Sequence, residues 1–313
     1  MKLHILSILM FSAILTLSAC KKSDAVLTPS GIDDTYTVPQ GNSAYDQTIV
    51  DYYKKYGTYL LYKFSEKDAY WTPTGSKKPV QLPSGLYQAG GEVTPAEPDY
   101  VQAQLNLIQS KWFSFYTDKF LKEFLPTKIL LCSKVDSVYT AFVFTPVFST
   151  AKGTKKVGAY YNYDNIAVNY GDATVNNMTV ADQRLFIYKA NLTFIQSIIG
   201  RGLLVPASEF VNSADYSTAM TTSTQAYGKG IIIGPYSPTA QLDWNAYVSA
   251  MVTYSTVQLN ASVPITDGTA AGILNATKDT SGQIKRRYNV VRNYYINEYG
   301  VDLQVIGNAT RGL

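Results

Sequence analysis

One long helical segment in the second half of the chain constrains the fold more than any other stretch. Apolar residues at helical spacing run from Leu185 to Ile199, and Thr179 or Asp182 can cap the start of the helix. The segment is ended by three helix breakers, Gly200, Gly202 and Pro206. Strand patterns precede this helix and further helices follow it. The predicted fold class is therefore α+β, with a helix-rich C-terminal half.

The elements around this helix follow from periodicity. Further helices are predicted over residues 44–56, 99–124, 243–259 and 282–299. Strands are predicted over residues 58–64, 128–133, 138–148 and 157–170. Both faces of 138–148 are apolar, which favours a central strand covered on both sides.

The N-terminus has the pattern of an exported lipoprotein. Residues 1–19 combine a polar start with an apolar core that is short for a membrane span, as in a signal peptide. Leu17-Ser-Ala-Cys20 resembles a bacterial lipobox, which implies that Cys20 becomes the first residue and carries the lipid, palmitate among its acyl chains. This predicts a protein anchored by lipid to the outer membrane of the cell envelope, facing either the periplasm or the surface.

The composition after the signal peptide predicts a tether and a folded part. Residues 20–41 are rich in Ser, Thr, Asp, Pro and Gly, which is typical of a flexible lipidated tether. Residues 42–313 are predicted to form the folded domain, either whole or as lobes 42–178 and 179–313.

The charge balance gives no support for a nucleic-acid partner. Without Lys2, which leaves with the signal peptide, the count of 27 basic residues falls to 26, against 23 acidic ones. Four basic residues of the last predicted helix lie mostly off its apolar face and are predicted to form a solvated surface, namely Lys285, Arg286, Arg287 and Arg292.

The mature chain would contain no histidine, because His4 lies in the signal peptide. Ser-His-Asp and Cys-His catalysis and histidine-based zinc sites are thereby excluded. Cys132 lies in an apolar run that predicts a buried strand, so it is interpreted as a core residue. Glycoside hydrolysis stays open, since it needs only two carboxylates. The candidate carboxylate pairs are Glu66 with Asp68, and Glu92 with Glu97.

Large aromatic residues are candidates for ligand contacts. Tyr70, Trp71 and Tyr87 lie among the prolines and glycines of residues 65–98, where they could stack on a sugar or pack beneath the loop. Trp244, on a later helix, is the fourth candidate.

The motif Thr193-Phe-Ile-Gln-Ser-Ile-Ile-Gly200 resembles part of the zinc helix of one lipoprotein family. The family is that of the zinc-binding metallopeptidase lipoproteins, or substrate import-associated zinc metallohydrolase-like lipoproteins, of Bacteroidota. Their helix reads Thr-Phe-x-His-Glu-x-x-His, and Pro206, Glu209-Phe210 and Asp243-Trp244 are similar to downstream segments of the family. The resemblance implies a zincin-like fold with a mixed sheet over this helix.

The resemblance also implies that the zinc site is lost. Gln196, Ser197 and Gly200 stand where the family has His, Glu and His, and Ala246 stands where the family has a further glutamate, a metal ligand. Neither a neutral amide nor a glycine binds Zn²⁺ tightly, and serine cannot serve as the base. We therefore expect no metal, no cofactor and no catalytic residue: a pseudo-metallopeptidase.

The expected function is that of a binding or accessory lipoprotein of an outer-membrane nutrient import system. Its partners would be the import receptor proteins and a glycan or peptide ligand. Two alternatives remain at this point, which are a carboxylate-dependent hydrolase such as a glycosidase and a purely structural surface lipoprotein.

Overall fold

A computed structural model describes residues 36–311 of the chain, with side chains for residues 36–310. Its α-helices are α1 Ala44–Tyr56, α2 Glu66–Tyr70, α3 Val101–Lys111, α4 Asp118–Phe124, α5 Val180–Gly200, α6 Ser208–Val211, α7 Ser223–Gly228, α8 Ala240–Thr253, α9 Thr256–Leu259, α10 Gln283–Tyr299 and α11 Leu303–Arg311. Its strands are β1 Tyr59–Leu61, β2 Trp71–Thr72, β3 Gly75–Ser76, β4 Gly90–Pro95, β5 Lys128–Val143, β6 Ser149–Lys156, β7 Ala159–Asn162 and β8 Asn165–Val168.

The long strand β5 organises the main sheet. Its first residues lie between β1 and β8 and run parallel to both, so that Lys128 pairs with Tyr59 on one side and with Asn165 on the other. Strand β7 adds antiparallel to β8, which gives a mixed sheet of order β1-β5-β8-β7. Leu130 and Leu131, whose side chains point to opposite faces of the strand, have no exposed surface, as expected for a strand covered on both faces.

The second half of β5 leaves this sheet and forms an antiparallel ribbon. Strand β4 pairs with residues up to Val138, and β6 pairs with residues Asp136 to Val143. The prediction of a covered central strand over 138–148 is wrong, because β5 ends at Val143 and the apolar side chains from Phe142 to Phe148 are exposed. Beyond Val138, the ribbon consists of β5 and β6 alone among the described strands.

Helix α5 lies at the centre of the core. It starts with a capping box in which the Thr179 amide donates to Asp182 Oδ2 at 2.9 Å and the Asp182 amide donates to Thr179 Oγ1 at 3.1 Å. The helix packs on β7 and β8 and also contacts α8 and α11. The predicted mixed sheet packed on this helix, and with it the α+β class, is confirmed.

The helix predicted over residues 99–124 is broken in two. The backbone leaves the helical region at Trp112, with φ −131° and ψ −65°, and α4 begins after Thr117. The break allows the consecutive residues Trp112 and Phe113 both to be buried, whereas neighbours on an unbroken helix point about 100° apart. Trp112 then packs on Phe194 of α5, with ring centroids 5.4 Å apart.

The last long helix, α10, lies where the sequence predicts it, but one of its basic residues is not on the surface. The apolar stripe of α10 is buried as predicted, with Ile284, Val291 and Tyr295 in the core. The prediction of a solvated basic surface is wrong for Arg287, which is fully buried and forms an ion pair with Asp243 at 2.9 Å.

The predicted signal peptide, the lipidated Cys20 and the first part of the tether lie outside the described residues. The domain division therefore stays a prediction. Near the predicted start of the domain, Gln40 Oε1 accepts a hydrogen bond from the Tyr62 amide at 2.8 Å, and Lys63 Nζ donates to the Gln40 carbonyl at 2.8 Å. Over residues 36–311, none of the helices combines the length and apolar character needed to cross a membrane.

Candidate functional site

The zinc-helix positions lie on the last two turns of α5, but they do not share one accessible surface. Gln196 and Gly200 are exposed, whereas Ser197 is fully buried against the core. The buried side is fixed by Phe194, whose ring packs against Trp112 and Tyr116. The side chain in the position of a catalytic base therefore faces the protein interior.

The hydrogen bonds of Ser197 are satisfied within the protein. Its hydroxyl donates to the Phe194 carbonyl at 2.7 Å. Its carbonyl accepts from the amide and from Nε of Arg201, both at 3.1 Å. The Arg201 guanidinium also donates to the carbonyls of Phe124 and Leu125 at the end of α4. A cation thus stabilises the C-terminal end of α5, where the helix dipole is negative.

A tyrosine side chain lies beside the exposed Gly200, which the sequence resemblance aligns with the second histidine of the family motif. A Cβ atom at residue 200 would lie 3.0 Å from Cε1 and 3.2 Å from Oη of Tyr161. The Tyr161 hydroxyl donates to the Tyr163 carbonyl at 2.8 Å, which holds the ring in place. Burial raises the pKa of Tyr161 above its ordinary value, so the phenol stays neutral and donates this bond. A histidine at residue 200 would require this ring to shift by a few tenths of an ångström.

These residues do not fit a zinc ion. Gln196 offers a neutral amide, Ser197 a buried hydroxyl and Gly200 no side chain, and Ala246 on α8 is a half-buried alanine. Across residues 36–310, the structure brings no three His, Cys, Asp or Glu side chains together in a way that could hold a metal ion.

An aromatic ridge, formed by the half-buried Tyr161 and the exposed Tyr163 and Trp71, lies at the Gly200 end of α5. The rings of Trp71 and Tyr163 meet edge to face with centroids 5.7 Å apart, and each side chain is nearly half exposed. Asn162 Nδ2 holds the Trp71 segment against the β7–β8 hairpin by donating to the Ala69 carbonyl at 2.7 Å. The ridge is thereby fixed in position before any ligand arrives.

The four predicted ligand-contact aromatics differ in accessibility. Trp71 is exposed and Tyr87 is half-buried beside Thr140. Tyr70 is buried, and its hydroxyl accepts from the Val93 amide at 3.1 Å. Trp244 is fully buried and its indole N–H lies 3.3 Å from Tyr295 Oη, so it packs in the core and cannot reach a ligand.

Three of the four candidate glycosidase carboxylates have structural partners. Glu66 pairs with Lys78, and Glu92 pairs with Lys152. Asp68 Oδ2 accepts from the amide and hydroxyl of Ser65 at the start of α2. Nothing in these contacts favours a catalytic pair.

A polar groove lies along the solvent-facing side of α10, beside the start of α6. Its volume is about 580 Å³. Asn289, Asn293 and Asn297 follow one another at intervals of four residues and line it together with Arg286 and Tyr294. Glu209 and Glu298 carry the acidic charge of the lining. Amides both donate and accept, so such a stripe suits ligands rich in hydroxyl or amide groups.

Packing beneath the groove holds Tyr294 in place. Its ring meets Trp244 and Tyr295 edge to face, each at a centroid distance of 5.3 Å. The sequence analysis missed this groove and both Tyr161 and Tyr163. The four-residue spacing of the asparagines and the short Tyr163-Asp164 turn between two strands were the signals that could have revealed them.

Comparisons with known proteins give one resemblance of overall structure. No family model matches the chain, and no curated protein matches it. A solved structure similar to it is that of a "putative zinc-binding metallo-peptidase" from Bacteroides caccae ATCC 43185, with 11% sequence identity and a TM-score of 0.43. The match covers 87% of this chain and 93% of that one.

Proposed function

We propose that this chain is a non-hydrolytic, metallopeptidase-like binding protein of the cell envelope, and that it holds a glycan in the groove along α10. The lipobox at Cys20 and the motif around Gln196 support a place beside an outer-membrane nutrient import system. The partners in that system would be the import receptor proteins.

The observation that carries the proposal is the asparagine stripe of the groove. Asparagine is a poor helix former, so three of them on one exposed helix face cost stability relative to Lys, Glu or Ala. Their amides can exchange hydrogen bonds with sugar hydroxyls, and the half-buried Tyr294 ring offers an apolar face for stacking. Glycans present both kinds of surface at once.

The loss of hydrolysis is supported by the end of α5. Ser197 is buried and its hydroxyl donates to the Phe194 carbonyl, and Tyr161 lies where a side chain at residue 200 would begin. A protein with this helix can retain a ligand without cutting it. Metal analysis of the purified chain tests this part, and one equivalent of zinc held at the Gln196 end of α5 would contradict it.

A glycan and peptide array probed with residues 21–313 tests the ligand class. We expect binding to a set of glycans and none to peptides. The double variant Asn289→Ala with Asn293→Ala should weaken that binding at least about tenfold, because several hydrogen bonds are lost together. Alanine favours the helix, so the variant should be at least as stable as the parent and a loss of binding cannot come from unfolding.

The matched control is Asn176→Ala, an exposed asparagine outside the groove. Binding should be unchanged in this control. Glycan binding that survives the double variant would move the ligand site away from α10, and silence across both arrays would leave a structural role.

A further inference from the structure

The end of the ribbon carries the largest group of exposed apolar side chains on the described chain. We call this group the aromatic tip, and it consists of Phe142, Val143, Phe144, Val147 and Phe148. Phe144 is 73% exposed, Val147 is 74% exposed and Phe148 is 61% exposed. Phe148 stacks on Phe142 at 6.2 Å and also contacts Phe144 at 5.7 Å, so the three rings form one surface. Apolar groups gathered in this way mark an interaction surface.

A neighbouring loop extends the apolar surface. Val80, Leu82 and Leu86 are each about 40–50% exposed. The loop is held on the ribbon because the Tyr87 amide donates to Thr140 Oγ1 at 2.8 Å and Thr150 Oγ1 donates to the Gly85 carbonyl at 2.8 Å. The tip and the loop therefore belong to one end of the molecule.

The charged residues of the ribbon beyond Asp136 are all positive, whereas Asp136 itself lies opposite Lys156 and forms a salt bridge with Lys134. Residues 79–91 contain no charged residue, and residues 137–163 contain Lys152, Lys155 and Lys156 but no Asp or Glu. Glu92, at the base of the ribbon, neutralises Lys152 through a salt bridge. Lys155 and Lys156 are exposed. The ribbon thus combines an apolar end with cationic groups behind it.

From the tip backwards, the side chains of the ribbon are first apolar, then aromatic with a hydroxyl group, and then cationic. The phenylalanines come first, and Tyr139 follows about 10 Å behind Phe142 at the strand rise of about 3.3 Å per residue. The Tyr139 ring lies across the cross-strand neighbour Gly153, which fixes it beside the ribbon. Lys155 and Lys156 lie further back. A bilayer presents matching regions in the same order: the hydrocarbon core, the interface where aromatic side chains concentrate, and the level of the anionic headgroups.

We propose that the aromatic tip inserts into the surface of a bilayer containing anionic phospholipids, as a second membrane contact besides the lipid predicted on Cys20. A second copy of the chain is a poorer occupant. Strand β6 is an edge strand in the described sheet, and its three lysines disfavour pairing with another edge. A contact of this kind would add apolar and electrostatic binding to the anchoring supplied by the lipid predicted on Cys20.

Vesicle sedimentation with residues 21–313, which carry no acyl chain, tests the proposal. We expect binding to phosphatidylcholine vesicles with about 30% phosphatidylglycerol, and weaker binding to phosphatidylcholine alone. Phe144→Ser with Phe148→Ser should weaken binding at least about tenfold, since both apolar groups leave the bilayer. Lys155→Gln with Lys156→Gln should reduce binding to the anionic vesicles only.

Two further measurements provide a control for the serine variant and test how deeply residue 144 enters the bilayer. Val205→Ser with Tyr236→Ser removes equally exposed apolar groups elsewhere on the chain and should leave vesicle binding unchanged. In Phe144→Trp, brominated lipids should quench the new tryptophan fluorescence. The proposal is overturned if the parent chain does not sediment with anionic vesicles, or if the serine variant binds as well as the parent. It is also overturned if sedimentation equilibrium shows that the parent chain is a dimer and that Phe144→Ser with Phe148→Ser dissociates this dimer.

Discussion

Arg287 and Asp243 form an ion pair in which neither side chain has any exposed surface. Nη2 of the arginine lies 2.9 Å from Oδ2 of the aspartate, and Nη1 donates to the Phe210 carbonyl at 3.0 Å and to Ser213 Oγ at 2.6 Å. Asp243 Oδ1 accepts from the Ile232 amide at 2.8 Å. The pair therefore joins α10 to α8 and holds the segments on either side of α7.

Removing one partner of this pair should destabilise the protein strongly. Asp243→Ala leaves a buried guanidinium without its counter-charge, and we expect the free energy of unfolding to fall by about 3–5 kcal/mol. Urea denaturation measures this. Glu298→Ala, which removes an exposed ion pair with Lys119, should change stability by less than about 1 kcal/mol. Equal effects of the two variants would contradict the structural role of the buried pair.

Helical periodicity could place α10 but could not predict the burial of Arg287. The apolar stripe is a local pattern, since Ile284, Tyr288 and Val291 recur every three or four residues. Arg287 lies at the edge of that stripe, and its burial depends on Asp243, 44 residues earlier in the chain. Pairings between distant segments leave no periodic signal in a single sequence.

The same limit applies to the candidate site, where the sequence shows the residues of the helix but not the distant residues that pack on it. That Gln196, Ser197 and Gly200 supply no strong metal ligand can be read from the sequence, because the positions lie within one helix. The neighbour of Gly200 cannot, since Tyr161 reaches it from β7 through the packing of sheet on helix. The prediction of a covered strand over 138–148 failed because an apolar pattern on both faces of a strand does not reveal whether other elements lie over it.

Gly307 marks the closest approach of two helices. A Cβ atom there would lie 2.1 Å from the Met251 carbonyl oxygen and 2.3 Å from that of Tyr254. Because both obstacles are backbone atoms, Gly307→Ala should separate α11 from α8 and lower the free energy of unfolding by about 2–3 kcal/mol. The matched variant Gly228→Ala meets no atom within 4 Å, so it should be neutral or stabilise by up to about 1 kcal/mol in urea denaturation.

The contact between Tyr161 and Gly200 can be measured as a coupling. Gly200→His requires the Tyr161 ring to shift by a few tenths of an ångström, whereas in a Tyr161→Ala background the space is free. We expect the histidine to cost about 1 kcal/mol more in the parent chain than in that background, as measured by a double-mutant cycle of unfolding free energies. Identical costs in the two backgrounds would show that the ring does not block residue 200.

Acid should weaken the junction between α10 and α11. Arg292 donates to Asp302 Oδ1 at 2.9 Å and to Oδ2 at 2.6 Å, and these bonds hold the pKa of Asp302 below its ordinary value. The stabilisation is therefore complete above the unfolded pKa of about 4 and is lost as the pH falls through the native pKa.

Asp302→Asn should thus be less stable than the parent by about 1 kcal/mol at pH 7, a modest value because the pair is partly exposed. The difference should shrink toward zero on acidification below the native pKa. Urea denaturation across this pH range measures it, with the exposed Asp99→Asn as the control. A difference independent of pH would mean that the carboxylate charge does not stabilise the junction.

The thiol of Cys132 should report on the opening of the central strand. Cys132 is fully buried in β5 near the point where the main sheet gives way to the ribbon, and burial raises the pKa of its thiol well above the ordinary range. Since the thiolate is the reactive form, a disulfide reagent should not modify residues 21–313 at pH 8. In urea the reagent should modify one thiol per molecule of the same chain, since Cys132 is its only cysteine.

Under native conditions, the rate of labelling of Cys132 should track the population of opened molecules, so Gly307→Ala should accelerate labelling and Gly228→Ala should not. Rapid labelling of the parent chain would contradict this assignment, because it would mean that β5 opens without unfolding the core.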